Sequence, residues 1–213
     1  MGRILVYKIV TDDNGAPCVT DEMLTLAICK PGYRHVAEEG DFLFAFMGRS
    51  VMPDGSEPLV YIAEITSILG VREYHGCAEY IHRPDNIYRL VSDKFEIVQD
   101  SLYHTAADIP RDVGEQGDRK VLVSRNFRYW GKEAKKIDST KYPFLSDLIH
   151  DLGQANYPPR KAITDAAVRE CEQLIGQSWL ENSRMKLGMR THPPGARDCG
   201  DGSDPRSGTS EWT

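Results

Sequence analysis

Basic side chains interleaved with aromatic ones are the strongest chemical signal in this sequence. Between Arg119 and Lys136 stand Lys120, Arg125, Arg128, Lys132 and Lys135, with Phe127, Tyr129 and Trp130 among them and Glu133 the single acid. Guanidinium and ammonium groups bind phosphates, and a Tyr or Trp ring can stack on an unpaired base. Arg125 and Arg128 are therefore candidate phosphate contacts, Tyr129 and Trp130 candidate stacking platforms, and Ser124 a polar neighbour. Lys30 and Arg34, four residues apart around Pro31, are expected on one helical face where they could grip a phosphate together. In Asp85-Asn86-Ile87-Tyr88, Asn86 could read a base edge and Asp85 could accept from an exocyclic amine. The same residues also allow plainer readings: a solvated helical turn, core aromatics, and a turn leading into a strand.

Other chemistries find little support. His35, His75, His82 and His104 lack close metal-ligand spacing, so no metal is expected. Ser124 lacks the Gly-x-Ser-x-Gly elbow of a serine hydrolase, and there is no phosphate loop or dinucleotide fingerprint, so no cofactor is implied. Carboxylates such as Asp41, Glu64 and Asp100 offer no obvious catalytic pair. The net charge of −6 argues against non-specific coating of nucleic acid but leaves room for a local basic surface. Five cysteines, Cys18, Cys29, Cys77, Cys171 and Cys199, are widely spaced. They suggest reduced thiols, with Cys29 and Cys171 in the core, and a cytoplasmic location, or a nuclear one in a eukaryotic cell. No apolar run approaches the roughly 20 residues that span a bilayer, so no membrane partner is expected.

The elements that must position these groups can be read from periodicity and punctuation. Arg3 to Val10 alternates as a strand, and Pro31 to Ala37 reads as a short helix with Pro at its start. Gly40-Asp41 turns the chain into a strand to Met47, which pairs through a loop with the strand Leu59 to Thr66. A short helix is expected within 71–82, strands at Ile87 to Leu90, Lys94 to Gln99 and Lys120 to Ser124, and a polar loop over 105–118. Tyr142-Pro143-Phe144 opens a helix stopped by Gly153, and a second helix runs from about Ile163 to Leu180 with its stripe at Ile163, Ala167, Cys171, Leu174 and Ile175. The tail from about Arg190, rich in Gly, Pro, Ser, Arg and Asp, is expected to be disordered. The pattern is α+β, a curled antiparallel or mixed sheet or partial barrel with short peripheral helices and C-terminal helices.

Three of these blocks resemble, in their order, the nucleotide modification associated domain 2 family. They are Leu26-Ala27-x-Cys29-Lys30-Pro31-x-x-Arg34 with Gly40-Asp41, then Asp85-Asn86-Ile87-Tyr88, then Val121-Leu122-Val123-Ser124 with Phe127, Tyr129 and Gly131. The resemblance covers about residues 3 to 137, with Phe42 where the family often has Trp and Tyr33 where it usually has an aliphatic residue. It implies a setting in nucleic-acid base modification or defence, and it carries over no catalytic residue. More distantly, Gly40-Asp41, the following apolar strand and Val60 to Ile65 are similar to PUA-like barrels of the EVE and ASCH groups. Members of that superfamily bind RNA or DNA, and some hold a modified base in a pocket.

The domain expectation is a PUA-like, nucleotide-modification-associated α+β domain over 1–153, a helical appendage over 154–189 and the tail over 190–213. The functional expectation is a nucleic-acid recognition module reading a modified or extruded base. Lys30, Arg34, Arg125 and Arg128 would hold phosphates, Tyr129 or Trp130 would stack, and Asp85 or Asn86 would read the base, with Tyr88 and Ser124 alongside. DNA is favoured over RNA as the partner. One alternative is an enzyme acting on a nucleotide or base, with Asp85, Asp41 or Ser124 in unassigned roles. Another is a subunit docking a protein partner or a second copy through the C-terminal helix. Whether anything is catalysed is open at this point.

Overall fold

The computed structural model describes residues 2–10, 15–20, 22–49, 52, 54–97, 104–152 and 160–176. The expected tail over 190–213, the stop at Gly153 and the last residues of the second C-terminal helix lie outside the described residues.

Two sheets dominate the fold. The first has the order β10-β5-β4-β1-β11, formed by β1 (Arg3–Ile9), β4 (Phe42–Met47), β5 (Leu59–Glu64), β10 (Asn126–Tyr129) and β11 (Arg160–Ala162). β1 lies parallel to β4, and every other pairing in this sheet is antiparallel. The second has the order β2-β3-β9-β6, from β2 (Cys18–Thr20), β3 (Met23–Leu26), β9 (Lys120–Ser124) and β6 (Ser67–Gly70). A separate hairpin joins β7 (Tyr88–Val91) to β8 (Lys94–Ile97).

Side-chain alternation sorts these strands into layers. Leu5, Tyr7 and Ile9 of β1, Leu43 and Ala45 of β4 and Tyr61 of β5 meet Leu24, Leu26 and Leu122 of the second sheet in a core between the sheets. The opposite face of the first sheet carries Ile4, Val6, Phe42, Phe44, Phe46 and Ile62. It is covered by α4 (Pro143–Leu152) and α5 (Asp165–Ile175) through Leu145, Leu148, Ala167, Cys171 and Leu174. The far face of the second sheet, with Met23, Val121 and Val123, packs against Val71 and Tyr74 of α2 (Val71–Gly76) and against Tyr88. Burial on both faces explains why Phe42–Met47 is continuously apolar rather than alternating. The result is the expected α+β architecture, mixed sheets flanked by short helices, with sheets that do not close into a barrel.

The helix expected from Pro31 is α1 (Pro31–Val36), and the turn before β4 has Gly40 at φ 83°, a conformation that glycine reaches without a Cβ clash. The stripe of the last helix is turned onto the first sheet, so the apolar face that could have served a partner is covered by the chain itself. The loop expected over 105–118 instead contains α3 (Ile109–Asp112), preceded by a 3-10 turn at Ala106–Asp108.

Candidate functional site

The chain leaves β3 and reverses into α1 through two consecutive non-glycine residues in the left-handed region, Cys29 at φ 57° and Lys30 at φ 45°. Each such residue carries a strain that the surroundings must hold in place. The reversal sends the two side chains to different groups. The Lys30 ammonium donates to the Lys8 carbonyl at 3.0 Å and lies over the Tyr7 ring, 5.3 Å from its centroid. Tyr7 in turn shares a hydroxyl hydrogen bond with Tyr61, and the Tyr33 hydroxyl donates to the Val6 carbonyl at 2.7 Å.

Cys29 faces the other way. Its Sγ is 3.3 Å from His104 Nε2, and His104 Nδ1 is 2.7 Å from Asp112 Oδ2. The Cys29 amide donates to Asp112 Oδ1 at 2.9 Å, and the Tyr88 hydroxyl donates to Oδ2 at 2.8 Å. The imidazole thus stands between the Cys29 sulfur and the Asp112 carboxylate, one nitrogen toward each. Burial alone would raise the Asp112 carboxyl, but its contact with His104 and the charges of His104, Arg34 and Arg111 outweigh that and hold it at about 2. Burial and the neighbouring Asp112 push the Tyr88 phenol up, so it stays a donor. Cys29 is disulfide-bonded, where a reduced thiol was expected.

Arg34 belongs to the same corner but not in the role expected of it. Lys30 precedes α1 rather than sharing its face, and Arg34 is 0% exposed. Its guanidinium donates to the carbonyls of Lys120 at 2.7 Å, Cys29 at 3.2 Å and Asp112 at 2.6 Å. Burial lowers it to about 10 despite the nearby Asp112 charge, which leaves it protonated at neutral pH. In this arrangement it ties β9, the Cys29 corner and α3 together and presents nothing to a phosphate.

Asp85 and Asn86 lie on the far side of the second sheet from Lys30. Asp85 accepts from Thr25 Oγ1 at 2.6 Å and from the Tyr74 hydroxyl at 2.5 Å, with Arg83 3.7 Å away. Asn86 Oδ1 lies 2.8 Å from His75 Nδ1, and its amide donates to the Tyr74 and Tyr80 carbonyls at 3.2 and 2.9 Å. Both side chains pin the segment between α2 and β7. Burial lowers the His75 imidazole despite its bond with Asn86, favouring the neutral ring.

The basic and aromatic segment divides between the two faces of β10. Tyr129 joins the core between the sheets, while Trp130 packs in the cluster under α4 and α5. Ser124 and Asn126 close the β9–β10 corner on each other, the Ser124 hydroxyl donating to the Asn126 carbonyl at 2.9 Å. Arg128 stacks on Trp130 at 5.2 Å and reaches the Leu174 carbonyl at 3.4 Å. Arg125 faces solvent, its side chain 57% exposed and paired with Glu79 at 2.8 Å, and Lys132, Lys135 and Lys136 are exposed as well. The structure therefore joins Lys30, Arg34 and Tyr88 around the Cys29 corner and keeps Arg125, Arg128 and Trp130 apart from them.

Asp41 also has a structural assignment. It accepts from the Arg3 amide at 2.8 Å, from the Arg3 guanidinium at 2.6 Å and from the Glu38 amide at 2.9 Å, fastening β1 to β4. Sequence reading missed His104 and Asp112, because 75 residues separate Cys29 from His104 and 83 separate Cys29 from Asp112. The available signal was a cysteine placed immediately before a Lys-Pro helix start.

No helix among the described residues is long and apolar enough to cross a membrane. No curated protein and no solved structure matches the chain. A family model does match, over residues 1–186, which extends past β10 through both C-terminal helices. The sequence blocks around Cys29, Asp85 and Ser124 thus lie inside one matched unit, and the chain belongs to the nucleotide modification associated domain 2 family.

Proposed function

We propose that the protein acts as an enzyme on a nucleotide, or on a single base of a nucleic acid, at the Cys29–Lys30 corner. The observation that carries this reading is the convergence of Cys29, His104 and Asp112 beside two strained left-handed residues. Strain of this kind and interacting titratable groups are features of sites that do chemistry. An open clamp on a sugar-phosphate backbone needs solvent-facing cations instead. Of the four cations expected on phosphates, Arg34 is sealed from solvent and Arg128 is stacked on Trp130, which leaves Arg125 as the exposed one. Family membership supplies the nucleotide setting; a base carried on DNA rather than RNA is part of the proposal. Lys30, above Tyr7 and next to Cys29, is the residue proposed to meet the nucleotide's charge.

The test is a titration of the protein with free nucleotides and with modified and unmodified deoxy- and ribo-oligonucleotides. Lys30→Ala is expected to weaken nucleotide binding about 10-fold, in line with loss of one charge-assisted contact. Arg125→Ala combined with Arg128→Ala is expected to leave it unchanged. Binding of oligonucleotides alone, abolished by the double arginine variant and indifferent to Lys30→Ala, would replace this reading with a surface recognition module.

A further inference from the structure

We propose that Cys29, once reduced, is a covalent nucleophile for acyl transfer, with His104 as its general base and acid and Asp112 as the residue that positions the imidazole. The inference deepens the nucleotide reading and rests on it only for the identity of the acyl carrier.

The geometry has the order this chemistry needs: sulfur, imidazole, carboxylate, with Nε2 at 3.3 Å from Sγ and Nδ1 at 2.7 Å from Asp112. The parts are also tied to one another without the imidazole. Asp112 Oδ1 accepts from the Cys29 amide, and Arg34 holds the Cys29 and Asp112 carbonyls together. Once Cys29 is reduced, its place 3.3 Å from Nε2 lets a proton pass between thiol and ring. A reversal built only for shape would also be easier with glycine than with Cys29 and Lys30 at positive φ.

Cys29 is disulfide-bonded in this structure, so the centre is released by a dithiol. One thiol of the dithiol attacks the sulfur bonded to Cys29 and Cys29 leaves as a thiol; the second thiol then resolves the mixed disulfide, releasing the other cysteine as a thiol and oxidising the dithiol to its own disulfide. His104 Nε2 then takes the thiol proton, and the thiolate forms a C–S bond at the carbonyl carbon of an amide, ester or thioester. Collapse of the tetrahedral intermediate breaks the bond to the leaving amine, alcohol or thiol, which takes the proton from Nε2. Water, or an amine on a nucleotide base, next attacks the thioester, and Cys29 leaves with that nucleophile's proton, returned through His104. No electrons change hands in the acyl steps.

The experiment uses the full chain with and without dithiothreitol, and p-nitrophenyl acetate as the acyl probe. An acetyl group is expected on Cys29, located by peptide mass spectrometry, in reduced protein and not in unreduced protein. Cys77, a free and partly exposed thiol, is the internal reference, and Cys29 should acetylate at least about 10-fold faster. His104→Gln should slow acetylation of Cys29 about 100-fold and remove the near-neutral rise of its pH profile. Asp112→Asn should move that profile while leaving Cys77 unaffected. Acetylation of Cys77 as fast as Cys29, or a rate and pH profile unchanged by His104→Gln, overturns the proposal. If His104→Gln does not fold, the Cys29-to-Cys77 ratio in the wild-type chain decides alone. Nucleotide titration of the wild-type chain separates the two readings. Acetylation at Cys29 without nucleotide binding keeps the thiol centre and removes the nucleotide, and the reverse result removes the thiol centre only.

Discussion

Two buried cysteine–carboxylate groups flank β3, and they differ in what stands beside the acid. At one, Cys18 and Asp85 surround Arg83, whose guanidinium donates to the Cys18 carbonyl at 3.0 Å and to Thr25 Oγ1 at 3.0 Å. At the other, an imidazole stands between Cys29 and Asp112. Arginine cannot give up its proton at any accessible pH, whereas histidine exchanges one near neutrality. Burial and the nearby Asp85 push the Cys18 thiol well up, so it remains protonated. The first group is a brace, and the second has the parts of a proton relay. The presence of a buried Cys and Asp therefore says little until the group that could move the proton is identified.

Breaking the brace should have the largest effect on stability. Arg83→Leu leaves the buried Asp85 without its cation and is expected to cost about 3–5 kcal/mol in chemical denaturation. A loss under 1 kcal/mol would remove the distinction between brace and relay. Next in size is the acid response of the relay. The Asp112 carboxyl is held at about 2 against an ordinary 3.8, so it contributes about 2 kcal/mol that is fully present above 3.8 and lost as pH falls through about 2. Asp112→Asn should flatten that part of the stability–pH curve, whatever it does to the plateau. A smaller change is expected from His75, whose imidazole is lowered from 6.5 by burial. Unfolded chain then binds more protons than folded chain below 6.5, so stability falls as pH drops through that value. His75→Gln should abolish this slope in urea titrations between pH 7 and 5. The smallest effect serves as a control away from both groups. Thr164→Ala removes the side chain that accepts from the Ala167 amide at the start of α5 and should cost about 1 kcal/mol. That cost should add to those of the other variants, because α5 packs on the opposite sheet.

Much of the architecture was legible because apolar runs and turn residues agreed. The β4–β5 hairpin, α1 behind Pro31, β9 and α4 were all expected close to where they lie. β11 was not, since Arg160–Ala162 is exposed and joins the sheet only through backbone pairing with β1. The candidate site was less legible than the fold. Arg34 and Tyr129 have the composition of a nucleic-acid contact, but composition does not tell whether a cation faces water or a main-chain carbonyl. Arg34 finds three carbonyls at a junction between elements. Cys29, His104 and Asp112 lie on segments whose nearness exists only after the second sheet, α1 and α3 have packed.

The edge of the first sheet has a consequence for biosynthesis. β1 leaves a ribosome well before β11, the strand that covers its outer edge and pairs Arg3 with Ala162. Ile163 then closes the edge by donating its amide to the Gly2 carbonyl. Until that late segment emerges, the nascent chain presents an unpaired strand edge of the kind other chains can add to. Chains stalled before residue 160 should therefore depend on chaperones far more than the finished protein does.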